Sequence, residues 1–135
     1  MYRVYNHEKK EWVRNDVYLS PNNDLYVAKK NLFGKEKLGL VSDKKFTWHK
    51  DIGLTDMHDV VIFEGDICKN EEKDIMGVVT YIPSHASYYL LDDRTLKYYP
   101  LTEEVCNELE IVGNVIENQD MLPQDEVAVA IEGDA

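Results

Sequence analysis

Two acidic residues, Glu64 and Asp66, flank Gly65 in the stretch Ile-Phe-Glu-Gly-Asp-Ile-Cys. Because alternate residues of a β-strand point to the same face, the two carboxylates can converge on one hard cation or share a proton. A cation of this kind needs several oxygen ligands. The nearest other acids, Asp56 and Asp59, lie on the far side of a predicted turn. These four acids are the candidate ligands of a metal-dependent hydrolase.

A structural interpretation of the same residues is favoured over the metal site. Gly65 between two short polar side chains fits a chain corner with positive φ, where acids accept hydrogen bonds from backbone N–H groups. The segment also lacks the EF-hand spacing, which requires Gly at the sixth loop position and Glu at the twelfth. We therefore predict a corner between two strands and no metal ligands.

Other residues with chemical potential are scattered. The histidines stand singly, without a paired metal-binding spacing, and we predict ordinary exposed side chains at His7, His49, His58 and His85. Ser84 and His85 lack an orienting acid beside them. The two cysteines, Cys68 and Cys106, form no CxxC motif and are predicted to be buried free thiols. No catalytic residue and no cofactor is predicted, and the protein is not expected to be an enzyme.

Tyrosines cluster in the second half of the chain and provide a candidate binding surface. Adjacent tyrosines on a strand point to opposite faces, so one ring of each pair is expected in the core and the other on the surface. Exposed aromatic rings of small β-barrels bind peptides or nucleic acids. Core packing or scattered exposure of these rings is the favoured interpretation, and a binding surface is the alternative. The candidate residues are Tyr81, Tyr88, Tyr89, Tyr98 and Tyr99.

The elements that position these residues are predicted to be mostly strands. Short β-branched and aromatic runs bounded by turn residues recur throughout, which is typical of antiparallel hairpins in a small barrel or sandwich. One helix is predicted over residues 102–110, with Thr102 as its N-cap. After it the chain returns to a strand, which Gly113-Asn114 interrupts with a bulge or turn.

Charge divides the chain of 135 residues into two parts. Residues 1–50 contain 11 Lys/Arg and 6 Asp/Glu, a net charge of +5, whereas residues 51–135 contain 4 and 20, a net charge of −16; together they give −11. A change of sign of this size indicates two structural units. The overall negative charge argues against a nucleic acid as the partner.

Three segments resemble the YopX family of phage and prophage proteins. They are residues 51–68, the sequence Gly-Val-Val-Thr-Tyr that follows, and residues 109–122. In that family, a Thr-Gly-Leu sequence and an Asp come first, followed by a turn and then by a strand that contains Glu-Gly-Asp-Ile. A second segment, Gly-Asn-Ile-Tyr-Glu-Asn, lies near the end of the chain. The matching positions, interpreted as structural, are Gly53, Leu54, Asp56, Glu64, Gly65, Asp66, Gly113, Asn114, Glu117 and Asn118.

Residues 2–12 also resemble the opening strand, polar turn and aromatic residue of the family. The resemblance therefore covers most of residues 1–122, with local departures. Ile52, Ile116 and Gln119 stand where the family has Thr, Tyr and Pro. His58-Asp59 replaces a dipeptide similar to Asn-Gly, which puts a type I′ turn in doubt because that turn needs positive φ at both central residues.

The resemblance implies a mainly β fold with an SH3-like barrel at residues 51–122 and one short helix. A separate basic β unit is expected at residues 1–50, and residues 123–135 are expected to form a frayed acidic tail.

The first ten residues carry charges where a signal peptide needs an apolar run, and no run reaches the roughly 18 to 20 apolar residues of a membrane span. A cytoplasmic location in the bacterial host cell is therefore expected.

The resemblance implies no activity. The leading hypothesis is a non-catalytic interaction module of a phage or prophage, which binds an unknown protein partner and forms a homo-oligomer. Two alternatives remain: the metal-dependent hydrolase described above, and an acidic mimic of nucleic acid that inhibits a host protein.

Overall fold

The computed structural model describes residues 1–14, 17–22, 24–30, 33, 36–40 and 45–122. The predicted acidic tail, residues 123–135, lies outside this description. The described chain is mainly β with one short α-helix, which confirms the predicted fold class. The chain forms two compact units, residues 1–50 and the residues from 51 onward. Their assignment as separate domains stays a prediction.

The first unit consists of antiparallel strands. These are β1 (Tyr2–Asn6), β2 (Glu11–Trp12), β3 (Val17–Leu19), β4 (Leu25–Lys30), β5 (Glu36–Leu40) and the first half of β6 (Phe46–Thr55). Strand β1 pairs with both β2 and β6, and β4 pairs with both β3 and β5. Val4 and Leu25 are buried, and three half-buried apolar residues pack against them: Val13, Val17 and Phe46. The side of β1 on which Val4 lies therefore packs into this small core.

The second unit contains a five-stranded antiparallel sheet. Its elements are β7 (Val61–Phe63), β8 (Asp66–Asn70), β9 (Ile75–Ile82), β10 (Ser87–Asp92), β11 (Lys97–Pro100), α1 (Glu103–Cys106) and β12 (Glu110–Asn114). The sheet order is β11-β10-β9-β8-β12, and β7 pairs with the second half of β6. That these strands close into an SH3-like barrel stays a prediction. No helix in the described part of the chain is long and apolar enough to cross a membrane.

The core of the second unit follows from the two-residue period of its strands. Apolar side chains on one face of the sheet pack together with residues of α1 and the chain after it. The buried members are Ile62, Cys68, Val79, Leu90, Cys106 and Leu109. Both cysteines are free and buried, as predicted. Burial raises the pKa of the Cys106 thiol to about 11, so this thiol stays protonated and unreactive at neutral pH.

The helix is shorter than predicted. Thr102 caps it as expected, with its hydroxyl oxygen accepting from the Val105 N–H at 3.3 Å, but the helix ends at Cys106 rather than at residue 110. The carbonyl of Leu109 accepts from the Met57 N–H at 2.8 Å, a long-range bond that draws the chain toward β12. Tertiary pairing therefore overrides the local helical pattern.

The turn between β6 and β7 is not of type I′. Of the dipeptide His58-Asp59 only Asp59 has positive φ, at 63°. The Asp59 N–H donates to the Asp56 carbonyl at 3.0 Å, and the Asp56 N–H donates to the Val60 carbonyl at 2.8 Å. A three-residue hairpin loop that ends in a left-handed residue has this pattern, and Asp tolerates that conformation.

Candidate functional site

Asp66 closes the corner between β7 and β8. Its side chain is 1% exposed, and Oδ2 accepts from the Phe63 N–H at 2.8 Å. Gly65 has φ of 87°, donates to the Val79 carbonyl at 2.8 Å and accepts from the Val115 N–H at 2.9 Å. Glu64 lies half-buried at the same corner. The positive φ explains why glycine stands between the two acids.

Asp56 joins the hairpin loop to β12. Oδ1 accepts from the N–H groups of His58 at 2.8 Å and Val60 at 3.0 Å, and Oδ2 accepts from the Ile111 N–H at 3.1 Å. The side chain is only 4% exposed. Burial by itself would raise the pKa of Asp56, but the three N–H groups outweigh it and lower the pKa below its ordinary value.

The four candidate metal ligands do not form a metal site. Asp56 and Asp66 use their oxygens to accept from backbone N–H groups, and Asp59 lies exposed in the hairpin loop. Across the described residues, no group of three His, Cys, Asp or Glu side chains is placed to hold a metal ion. Asp56 and Asp66 therefore have a structural explanation that does not involve a ligand.

The later segment of the family motif forms a turn after β12. Asn114 Oδ1 accepts from the N–H groups of Ile116 at 3.0 Å and Glu117 at 2.9 Å, and Asn118 Oδ1 accepts from the Asn114 N–H at 3.1 Å. A Cβ atom at Gly113 would lie 2.6 Å from Asn118 Oδ1, so only glycine lets this side chain approach. The side-chain oxygens of this segment thus accept hydrogen bonds from backbone N–H groups of the same segment.

The two motif segments are neighbours in space. Asp66 on β8 pairs with Asn114 on β12, and the register shifts between Ile111 and Gly113, at the position of the predicted bulge. Two further motif residues lie on β6: Gly53, with φ of 82°, and Leu54, which packs against the core. The residues that carry the resemblance therefore build one corner of the fold.

The adjacent tyrosines divide between the two faces of the sheet, as predicted. Tyr88 and Tyr99 pack against the core. Tyr89 and Tyr98 contact each other, with ring centroids 5.4 Å apart in an edge-to-face arrangement. Tyr81 contacts Tyr88, at 5.1 Å, and is 40% exposed.

His85, Tyr89 and Tyr98 form a cluster that we call the aromatic strip. The His85 ring centroid lies 5.3 Å from that of Tyr89 and 6.2 Å from that of Tyr98. The Tyr89 hydroxyl is hydrogen-bonded to His85 Nδ1 at 2.9 Å. Tyr98 is 54% exposed, and His85 is exposed at the end of the 3-10 helix that joins β9 to β10. The strip offers flat apolar area with polar tips, which suits recognition of a partner.

The sequence pattern missed the role of His85. His85 is exposed, as the sequence predicts, but the structure also places its ring against two tyrosines of the candidate binding surface, a contact that the sequence did not indicate. His85 precedes Tyr89 by four residues, in a short connection that contains Pro83. This spacing is the local signal that could have indicated the contact.

His49 is not the ordinary exposed histidine that the sequence predicts. It is half-buried, and its Nδ1 lies 3.4 Å from Arg3 Nε and 3.3 Å from Arg3 Nη2. Burial and the nearby guanidinium lower the pKa of His49 to about 4, so the ring is neutral at physiological pH. Arg3 also stacks on Trp12, with Cζ 4.7 Å from the ring centroid. This cluster links β1, β2 and β6.

A third buried carboxylate, that of Asp92, was not predicted from the sequence. It is 1% exposed and accepts from the Arg94 N–H at 3.1 Å and from Arg94 Nη2 at 3.2 Å. Arg94 Nη2 also donates to the carbonyl of Asp74 at 3.0 Å. An acid at the end of a strand, with arginine two residues later in the hairpin loop, is the pattern that would have indicated it. These bonds fix the ends of two neighbouring hairpins.

Comparison with known proteins gives the family and the fold. The structure is similar to that of protein yopX from Bacillus subtilis, with a TM-score of 0.59, 14% identity and coverage of 90% of this chain and 97% of that one. It is also similar to protein EF1440 from Enterococcus faecalis, with a TM-score of 0.52, 17% identity and coverage of 90% and 96%. No match was found among the curated proteins. A model of the YopX protein family matches residues 1–123, and the chain therefore belongs to that family.

Proposed function

We propose that this protein is a non-catalytic interaction module that binds a protein partner. It acts in the cytoplasm of a bacterial cell, as an accessory protein of a phage or prophage. The aromatic strip is the binding surface. This proposal makes no use of a metal, a cofactor or a reactive side chain.

The observation that carries the proposal is the position of the aromatic strip. His85, Tyr89 and Tyr98 lie together, and Tyr98 is 54% exposed, whereas Tyr88 and Tyr99 pack against the core. Tyrosine rings have large contact area and few rotatable bonds, so ordering them on binding costs little entropy. Tyr89 and Tyr98 also stand on paired strands, which hold the rings before a partner arrives.

The buried acids support binding rather than catalysis. A general base must reach a substrate proton, and a metal ligand must direct a free oxygen toward the ion. Asp56 instead directs both oxygens to backbone N–H groups, and Asp92 is bound to Arg94. The oxygens of these two buried acids are therefore engaged in bonds within the protein.

The test measures whether a partner depends on the strip. The wild-type protein, Tyr98→Ala and Tyr81→Ala are immobilised and exposed to a bacterial lysate, and each captured protein is then purified and its affinity measured by calorimetry. Tyr81→Ala is the matched control because it removes an exposed tyrosine from the other side of the sheet. We expect a partner whose affinity falls at least tenfold with Tyr98→Ala and less than twofold with Tyr81→Ala. A partner retained equally by both variants, or no partner at all, contradicts the proposal.

A further inference from the structure

We infer that the aromatic strip binds a proline-rich segment in the polyproline II conformation, with Lys or Arg residues at the end that lies beside Glu103 and Glu104. This inference rests on the proposed function and names the chemical class of its partner.

The size of the strip fits this conformation. Its three ring centroids are 5.3 to 6.2 Å apart. A polyproline II helix rises about 3.1 Å per residue, so the strip spans roughly two residues of such a chain. Pro100, which pairs with Tyr89 across the strands, continues the apolar surface beyond the rings. Proline rings pack on flat aromatic surfaces and lose little entropy because their backbone is already restricted.

The polar groups of the strip match the free backbone of this ligand. A polyproline II chain makes no internal hydrogen bonds, so its carbonyl groups need donors. The hydrogen bond between the Tyr89 hydroxyl and His85 Nδ1 uses one donor of this pair and leaves the other, on the His85 ring or on the Tyr89 hydroxyl, available. In the described part of the chain the Tyr98 hydroxyl has no hydrogen-bond partner. The strip therefore presents two donors next to its rings.

The edge of the sheet argues against a partner that adds a β-strand. Strand β11 lies at the end of the sheet order and has only four residues. It begins with Lys97 and ends with Pro100, which has no N–H group to donate. A short edge strand with lysine and proline is a common protection against strand addition. A partner that binds through side-chain stacking avoids this obstacle.

The charges of the second unit indicate where the basic end of the ligand binds. Residues 51–122 contain 4 Lys/Arg and 16 Asp/Glu, a net charge of −12. Three of these cations form ion pairs with acids of the same unit: Lys69, Lys73 and Arg94. Glu103 and Glu104 follow Pro100 by three and four residues, are exposed, and make no ion pair within the described residues. They are exposed carboxylates, unpaired among the described residues and close in sequence to Pro100, and we therefore assign the basic end of the ligand to them.

The experiment uses three fluorescein-labelled peptides and measures anisotropy on titration with the full chain. The first peptide is a run of nine prolines with two arginines at one end. The second replaces the arginines with glutamates, and the third replaces the prolines with alternating glycine and serine. We expect the first peptide to bind at least tenfold more tightly than either of the others, and its affinity to fall with added salt.

Four variants locate the binding site. Tyr98→Ala is expected to weaken binding of the first peptide at least tenfold, and Tyr98→Phe about threefold, because only the hydroxyl donor is lost. The charge reversal Glu103→Lys/Glu104→Lys is expected to weaken it at least fivefold. Its matched control, Glu71→Lys/Glu72→Lys, makes the same change of net charge in the turn between β8 and β9 and is expected to change affinity less than twofold.

The outcomes separate this inference from the proposed function. Equal binding of the proline and glycine-serine peptides, an equal effect of the two charge reversals, or no binding of the first peptide at millimolar protein overturns the inference. If a cellular partner is nonetheless lost with Tyr98→Ala, the proposed function stands and only the ligand class is wrong. If no partner depends on Tyr98, both are wrong.

Discussion

At the residue scale, the carboxylate of Asp56 satisfies three backbone N–H groups within an almost fully buried site. One of these groups belongs to Ile111, 55 residues further along the chain. A buried N–H group that loses its acceptor costs free energy comparable to a lost hydrogen bond. The acid therefore contributes to stability through the loop and β12 together.

Asp56→Asn is expected to lower the free energy of unfolding by about 1 to 3 kcal/mol. The amide keeps one acceptor oxygen but places an NH₂ group against an N–H donor on the other side. Asp59→Asn is the matched control, since Asp59 is exposed at positive φ, a conformation that Asn accepts. Urea denaturation measures both variants, and a similar small loss for the two would show that the bonds of Asp56 carry little stability.

Stability is expected to fall in acid because the pKa of Asp56 is lowered in the folded state. The unfolded chain then binds the proton at a higher pH than the folded chain does. The contribution of Asp56 is therefore complete above the unfolded Asp value of about 3.9 and is lost as the pH falls through the folded-state pKa. Thermal melts between pH 7 and pH 3 test this, with Asp56→Asn as the comparison. The variant should lose less stability than the wild type between pH 5 and pH 3, and parallel curves would contradict the prediction.

At the scale of elements, the corner between β7 and β8 depends on the backbone of Gly65. Its φ of 87° lies in a region that disfavours side chains, and its N–H and C=O bond to Val79 and Val115. The corner therefore connects β9 and the turn after β12. Gly53 has a similar φ of 82°, but a Cβ atom placed there would meet no atom within 4 Å.

Gly65→Val is expected to destabilise the protein by roughly 2 to 4 kcal/mol, because a β-branched residue adds crowding at a buried position to the strain of positive φ. Gly53→Val carries only the backbone strain, of about 1 to 2 kcal/mol. Chemical denaturation of the two variants gives the difference directly. Equal losses would mean that burial at the corner adds nothing to the conformational cost.

At the scale of the whole molecule, the charge contrast between residues 1–50, at +5, and residues 51–135, at −16, leaves negative charge uncompensated within one chain. Opposite charges on neighbouring molecules attract one another, and the attraction acts only over short distances at physiological salt, where the Debye length is about 8 Å. Short edge strands at β2, β3 and β5 provide a second route through strand pairing.

We expect salt-sensitive self-association. Sedimentation velocity at low salt should show species heavier than the monomer in proportions that increase with protein concentration, and about 0.5 M salt should reduce them. Lys9→Glu/Lys10→Glu, in the exposed turn between β1 and β2, should weaken the association. A single monomeric boundary at both salt concentrations, over a tenfold range of protein concentration, would show that the net charge keeps the molecule monomeric.

Features that depend on neighbouring residues could be predicted from the amino-acid sequence. The two-residue period of strands divided each pair of adjacent tyrosines between two faces, and the folded structure showed that Tyr88 and Tyr99 are the rings on the core side. The glycine at the corner and the cap at Thr102 followed from local backbone chemistry in the same way. Such patterns can be read from the sequence because each involves residues only a few positions apart.

Contacts between distant residues could not be predicted from the sequence and are known from the folded structure. The bond from Ile111 to Asp56, the approach of Arg3 to His49 and the early end of α1 depend on strand register over about 50 residues. No local period specifies which distant N–H group a carboxylate will meet, because register is set by the packing of one whole face against the core.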